Sequence, residues 1–522
     1  MGTSKDGIRT VDANTLFDAV YEGDQDAVTV ALRAGVSAES VDEDGQTALY
    51  LASVHDDPGV VRLLLAAGAD PERLSCGADL PLCGAACAGH TGTVRALLSA
   101  GAAPDRPEGF GFTALNWAAR LGDEETARVL LAAGADPDLA VPGNPAPLVC
   151  AARRGDLATV RALLRGGAGD RREALAEAVR LLRADVEREM TEGLLAAHDA
   201  QWGPDDRDRC EVVVRKVGEA GGVTVVVDLH RDGLPVAGEE RGTAHGAIAT
   251  LLERESGVAT PYGELAARAL RDGVRGRGGD NWTESVRTLL QCAGEETLQA
   301  AVAWCAPGDP LRRVFGTEVL GGLRPVDADC VPLLRELAAE EGDPALTAAA
   351  VDGLGSHGDP AGAAEILRRA GHQDAGVRAA VARALAGGAG VGAEAGSGAG
   401  AATGTAIGPR SAAVAALVPL ADDLDPAVRA AATTALAAAA EDSDEVRAAL
   451  ARRLTGPSPD VVAEAARGLA RRGDPRAVDA LAGLLAEAPA ASPVRVKALD
   501  ALTYLPDPKL RRRLRHTRPR LR

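Results

Sequence analysis

The octapeptide LLAAGADP stands at Leu64–Pro71 and again at Leu130–Pro137. The interval is twice 33 residues, and three columns keep the 33-residue step without a slip. Ala34-Gly35, Ala67-Gly68, Ala100-Gly101, Ala133-Gly134 and Gly166-Gly167 form the first. Ala19, Ala52, Ala85, Ala118 and Ala151 form the second, and Leu32, Leu65, Leu98, Leu131 and Leu164 the third. A fixed period of this length marks one supersecondary unit per repeat. Each unit reads as a short helix, a turn and a second helix ending in Leu-Leu. A glycine then supplies the left-handed stop, and the Ala-Asp-Pro that follows cannot continue a helix.

These residues resemble the ankyrin repeat. Its signature stands as GQTALYLAS (45–53) and GFTALNWAA (111–119), and more weakly as ADLPLCGAA (78–86) and NPAPLVCAA (144–152). The first repeat, around NTLFDAVYEGD, diverges as capping repeats do. The signature histidine is replaced by Tyr50, Cys83, Asn116 and Val149. The resemblance spans 13–170 and implies a fold without implying a shared ligand or chemistry. It also implies which side chains line the concave face: Tyr21, Glu22, Glu43, Asp44, Gln46, Val54 and His55, then Cys76, Asp79 and Cys87, then Phe110, Phe112, Arg120, Leu121, Arg153 and Arg154. Two of the four phenylalanines sit in one loop tip, EGFGF. Exposed aromatics beside arginine suit a binding hot spot, while packing of both rings onto the neighbouring loop is the alternative. Trp117 falls where the family buries a residue and is expected in the core. The array runs from acidic (VDEDGQ) to basic (Arg153, Arg154, Arg161, Arg165), a gradient that would orient an oppositely graded partner or simply be a solvated surface.

A different cadence begins at Asp309. DPLRRVFGTEVLGGL, DPALTAAAVDGLGSH, DAGVRAAVARALAGG, DPAVRAAATTALAAA, SPDVVAEAARGLARR and SPVRVKALDALTYLP each open on an N-cap residue and close an Ala-rich helix on leucine. These stretches resemble HEAT repeats, of the short kind named for phycobilisome lyases, over 307–508. Arg429, Val462 and Arg495 keep a step of 33, as Arg313, Thr347 and Arg378 nearly do. The larger gap between Arg378 and Arg429 holds a Gly/Ala-rich tract at 386–409, expected to be a flexible insertion.

Residues 171–306 follow neither pattern and are expected to form a helical linker domain. REALAEAVRLLRADVEREMTEGLL has helical spacing at Leu175, Leu182, Val186, Met190 and Leu194 and should cap the first array. EVVVRKV and VTVVVDL flank GEAGG as a β-hairpin over 211–229. Further helices should follow, the last capped by Asn281 or Thr283. The expected fold class is thus mainly α: two α-solenoids with a small mixed helical and β-hairpin segment between them.

Chemistry finds little support in the sequence. Cys83, Cys87 and His90, with Cys76 nearby, resemble a zinc spacing, but His90 follows Gly89 at a structural position of the ankyrin pattern. Asp228, His230, Glu239 and His245 lie close in sequence and could serve acid–base catalysis, yet no nucleophile motif or phosphate loop accompanies them. No catalytic residue, metal or cofactor is therefore expected. The tail 509–522 is strongly basic; it could neutralise phosphates, dock on an acidic partner, or fold back on this chain.

Composition sets the outer bounds. At 522 residues the chain is long enough for roughly three domains. Aromatics make up only 2%, so alanine and leucine must carry the packing. Four lysines against 53 arginines, with abundant alanine and glycine, read as a GC-rich bacterial genome. A net charge of −18 disfavours general nucleic-acid binding. No apolar run is long enough to span a membrane, the N-terminus lacks a signal-peptide core, and eight scattered cysteines do not form a disulfide framework. A cytoplasmic adaptor or scaffold for unidentified protein partners is the expected function, with a nucleic-acid-associated protein or an enzyme of the middle segment as alternatives.

Overall fold

The computed structural model describes residues 12–141, 144–219, 222–271, 273, 278–323, 330–340, 342–388, 410–489 and 492–517. Two compact units divide the chain, Met1–Thr288 and Leu289–Arg522.

In the first unit the 33-residue comb becomes five helix pairs among the described residues. The first helices are Ala13–Glu22, Ala48–Val54, Pro81–Cys87, Ala114–Leu121 and Pro147–Arg154. Their partners are Gln25–Arg33, Pro58–Ala66, Thr91–Ser99, Glu124–Ala132 and Leu157–Arg165. The alanine column is buried because first helices stack directly on one another, leaving no room for a longer side chain. The leucine column packs against this core from the second helices. Side-chain caps repeat as well. Thr47 and Thr113 accept from backbone amides at the start of first helices, and Asp24, Asp57, Asp123 and Asp156 do so for second helices. In the third repeat His90 takes the aspartate's place, and its Nε2 lies 3.1 Å from the Val54 carbonyl oxygen.

The loops are stitched by a second periodic device. The amide N–H groups of Asp70, Ala103, Asp136 and Gly169 donate to the carboxylates of Glu39, Glu72, Asp105 and Asp138, each 31 residues earlier. One acidic residue per repeat thereby satisfies a backbone donor of the next.

The middle segment completes this array. Helices Arg171–Arg183 and His245–Glu255 pack together at its end, and Ala174, Ala178, Ala244, Ala247, Ile248, Ala249, Leu251 and Leu252 belong to the apolar cluster that begins at Leu16. The single helical run expected over Leu175–Leu194 is broken at Ala184–Asp185, where Asp185 accepts from the Arg188 amide and starts a second helix, Val186–Trp202. Strands β1 (Cys210–Glu219), β2 (Gly222–Arg231) and β3 (Leu234–Gly242) form an antiparallel sheet in the order β1-β2-β3. The expected hairpin therefore gains a third strand. Met190 of the long helix packs with Val225 and Val227 of β2. Helices Tyr262–Leu270 and Asp280–Gln291 follow. Asn281, expected to cap its own helix, lies inside it; its Oδ1 instead accepts from the Ala247 amide, capping helix His245–Glu255.

In the second unit, helix pairs run from Glu295–Cys305 with Pro310–Gly322 to Ala477–Glu487 with Pro493–Ala501. The motif helices Pro310–Gly322, Pro344–His357, Ala375–Gly388, Pro426–Ala438, Pro459–Arg471 and Pro493–Ala501 stack in sequence. Ala375–Gly388 rests directly on Pro426–Ala438, so the array continues across the insertion. The inserted tract itself, from 389 to 409, lies outside the described residues. The arginine column has a clear task. Arg313 donates to the Cys305 carbonyl, Arg378 to those of His372 and Gln373, and Arg429 to those of Asp423 and Leu424. Each satisfies carbonyls left over where the preceding segment ends. The described part of the basic tail forms helix Pro508–Arg515, seated by the buried Leu514 and by contact with Ala477–Glu487, while residues 518–522 lie outside the described residues.

Candidate functional site

The turns that end the first helices and the loops that precede them form one face of the ankyrin-like array, and they divide into three zones. At the N-terminal end Tyr21 is 53% exposed; its hydroxyl donates to Asp42 Oδ2 at 3.3 Å, and its ring meets His55 edge-on at 5.7 Å. The Asp42 carboxylate also accepts from the amides of Asp44 and Gln46, fixing the loop that leaves Glu43 and Asp44 in solvent. Gln46 is half-buried and accepts from the Ser75 hydroxyl.

The middle zone is the EGFGF loop. Glu108 N–H donates to the Phe112 carbonyl, Gly109 N–H to Ala78 and Gly111 N–H to Glu108, while the Asn144 amide donates to the Phe110 carbonyl. So fixed, the loop holds Phe110 at its tip, 66% exposed. Phe112 turns inward instead, half-buried on Trp117 with ring centroids 4.7 Å apart. The Arg120 guanidinium lies 5.1 Å from the Phe112 ring and 5.8 Å from Trp117. One ring of the pair is thus presented to solvent and the other packed, so the packing expected of both rings is met by Phe112 alone. Trp117, expected in the core, is half-buried; its Nε1 donates to Glu108 Oε1 at 2.6 Å. Burial raises the Glu108 carboxyl above the usual range.

At the third zone the insert meets the array. The Arg154 guanidinium binds both the carboxylate and the carbonyl of Glu240 on β3, and Arg153 donates to Glu177 at 2.9 Å. The approach is close: a Cβ on Gly155 would fall 2.3 Å from the Gly242 carbonyl oxygen, so no other residue fits there without moving β3. A cavity of about 560 Å³ lies under this contact, lined among others by Trp117, Arg120, Arg153, Arg154, Asp228 and Glu239. Arg161, the next arginine of the basic end, pairs with the fully buried Glu284 at 2.5 Å. Much of the expected charge gradient is therefore answered within the chain. Leu121, 43% exposed, remains at the rim.

Of the residues weighed for chemistry, Cys83, Asp228, Glu239 and His245 have other partners. The Cys83 thiol, pushed well up by burial, faces the Phe112 carbonyl, whereas Cys76 and Cys87 are exposed. Asp228 pairs with Arg215 and Glu239 with Arg241. His245 is buried against the Arg153 carbonyl at 3.4 Å, and desolvation lowers its pKa to about 4. The covering strand β3 was not legible in the sequence. The only signal was the Glu-Glu-Arg run after Gly238, complementary in charge to Arg153 and Arg154.

Comparison with known families agrees with this geometry. The pattern described as ankyrin repeat matches residues 44–75, that of ankyrin repeats in three copies matches 74–141, and that of HEAT repeats matches 298–386 and 414–503. Helix pairs 13–33 and 147–165 extend the ankyrin array beyond the matched stretch at both ends. No curated protein matches the chain.

Proposed function

We propose that this chain, an ankyrin-repeat array followed by a HEAT-repeat array, is a non-catalytic adaptor that binds a protein partner on its ankyrin face. The observation that carries the reading is Phe110, an exposed ring on a loop held by four hydrogen bonds. A rigid loop has little ordering entropy to lose on binding, and Arg120 stacked on Phe112 and Trp117 offers an adjoining cation. Tyr21, Glu43, Asp44, Gln46 and His55 would extend the contact with acidic character. Arg153 and Arg154 act as contact residues only at the rim, since both already hold intramolecular carboxylates. A cytoplasmic setting fits these features; among the described residues no helix is long and apolar enough to cross a membrane.

The test is affinity capture from the native cell extract with the unmodified chain and with Phe110→Ala. Because Phe110 packs on little, thermal unfolding should be unchanged. Loss of one captured protein, about tenfold or more in yield, is the expected outcome for a hot-spot aromatic. An identical set of captured proteins would remove the ankyrin tip as the binding site. A second reading rests on helix Pro508–Arg515, which leaves Lys509, Arg512, Arg513 and Arg515 exposed. If it binds nucleic acid, DNA retention should fall steeply with salt and vanish in the triple Arg512→Glu, Arg513→Glu, Arg515→Glu variant.

A further inference from the structure

Where the long helix of the insert hands over to the sheet, three unlike side chains meet. His198 lies in the last turns of helix Val186–Trp202, Asp206 in the 3-10 turn Pro204–Arg209, and Cys210 opens β1. Cys210 Sγ is 3.2 Å from His198 Nε2, and Asp206 Oδ2 is 3.3 Å from the same nitrogen. All three ligand atoms lie within 4.8 Å of one another.

We propose that His198, Asp206 and Cys210 form a binding site for a zinc-type divalent transition-metal ion. Four ligands placed tetrahedrally at zinc bonding distances stand about 3.3–3.6 Å apart, close to the two separations observed. The donor set points the same way, since a thiolate with an imidazole selects zinc or cobalt over magnesium or calcium. Lone pairs of Sγ, Nε2 and Oδ2 face one point, and the Cys210 thiol also reaches the Asp206 carbonyl oxygen at 3.7 Å. His198 is 2% exposed, and its Nδ1 is buried with no hydrogen-bond partner. Asp199 Oδ1 lies 3.8 Å from that nitrogen, beyond hydrogen-bond reach, and is held by Arg207. The Arg231 guanidinium stands beside Asp206, its Nε 2.6 Å from Oδ2.

Binding would release the Cys210 thiol proton to solvent and form metal bonds to Sγ, Nε2 and Oδ2, with a fourth position left to water. The ion would staple helix, turn and strand at the root of the insert that covers the ankyrin face. This site is separate from the proposed Phe110 contact, and neither depends on the other.

The experiment uses the full chain, stripped with a chelator and then titrated with zinc chloride against a chromophoric competitor. One zinc per chain is expected. Cys210→Ser and His198→Gln should each weaken binding about 100-fold, whereas Cys87→Ser should not. If either variant fails to fold, alkylation of the unmodified chain decides. Zinc should slow modification of Cys210, followed by peptide mass, at least tenfold, and cobalt should give a thiolate charge-transfer absorption. Zinc binding that is unchanged in both variants overturns the proposal. So does a Cys210 that alkylates at the same rate with and without zinc, which would mark it as a thiol paired with the His198 imidazole alone.

Discussion

The glycine closing each ankyrin repeat is required by its backbone and by nothing around it. Gly35, Gly68, Gly101, Gly134 and Gly167 hold φ between +94° and +99°, yet a Cβ on any of them would meet no atom within 4 Å. Gly101→Ala should therefore cost about 1–2 kcal/mol through left-handed strain alone. Gly193, inside helix Val186–Trp202 and equally open, gives the opposite case. Gly193→Ala should stabilise by about 0.5–1 kcal/mol through helix propensity, and urea titration of both variants checks the contrast. The alanine and glycine columns were legible because period and residue type report backbone needs. Trp117 and Phe112 were less so, because which ring of a short loop turns inward depends on neighbours from other repeats. His245 shows the same limit. Its pKa is lowered to about 4 by burial at the array's end, so the unfolded state takes up a proton between about pH 6.5 and pH 4 that the folded state refuses. Stability should be fully present above pH 6.5 and fall as the pH drops through this window, by about 3 kcal/mol in all. Denaturant midpoints across that range should show the slope, and His245→Asn should flatten it.

Among the elements, the stacked motif helices of the HEAT array explain its composition. A Cβ on Gly468 would lie 2.7 Å from Ala437 Cα, and one on Gly355 2.5 Å from Ala384 Cα, so neighbouring helices touch backbone to backbone. Small residues permit that approach, and larger ones force the layers apart. Gly468→Val should destabilise the second unit by about 1–3 kcal/mol, visible as a lower thermal midpoint with unchanged unfolding of the first unit. The helix break at Asp185 could have been read as an N-cap signal, whereas β3 could not. Its sequence LPVAGEERG carries a proline, two glycines and three charges, which read as a loop. It is a strand because β2 offers it an edge and because Arg154 and Gly155 receive it from the other side.

For the molecule as a whole, the consequential finding is where the ankyrin core ends. One apolar cluster runs from Leu16 to Leu252 and takes in Ala247, Ile248, Leu251 and Leu252 of helix His245–Glu255. Burying a leucine or isoleucine is worth about 1.5–3 kcal/mol, so a chain stopped at Asp170 should lose several kcal/mol relative to one stopped at Thr288. Chemical denaturation of the two truncated forms measures the difference; equal midpoints would show that the helix adds nothing. The 33-residue step, the caps and the Ala-rich helices suffice to specify two repeat arrays and their order, because each is a local requirement written once per repeat. The three-dimensional packing alone set the closure of the ankyrin core by the middle segment, the contact of β3 with Arg154, and the presentation of Phe110 rather than Phe112. Those outcomes rest on contacts between distant segments, such as His245 with Arg153, 92 residues apart, and Arg161 with Glu284, 123 apart, made once rather than once per repeat, and so they leave no period in the sequence to read.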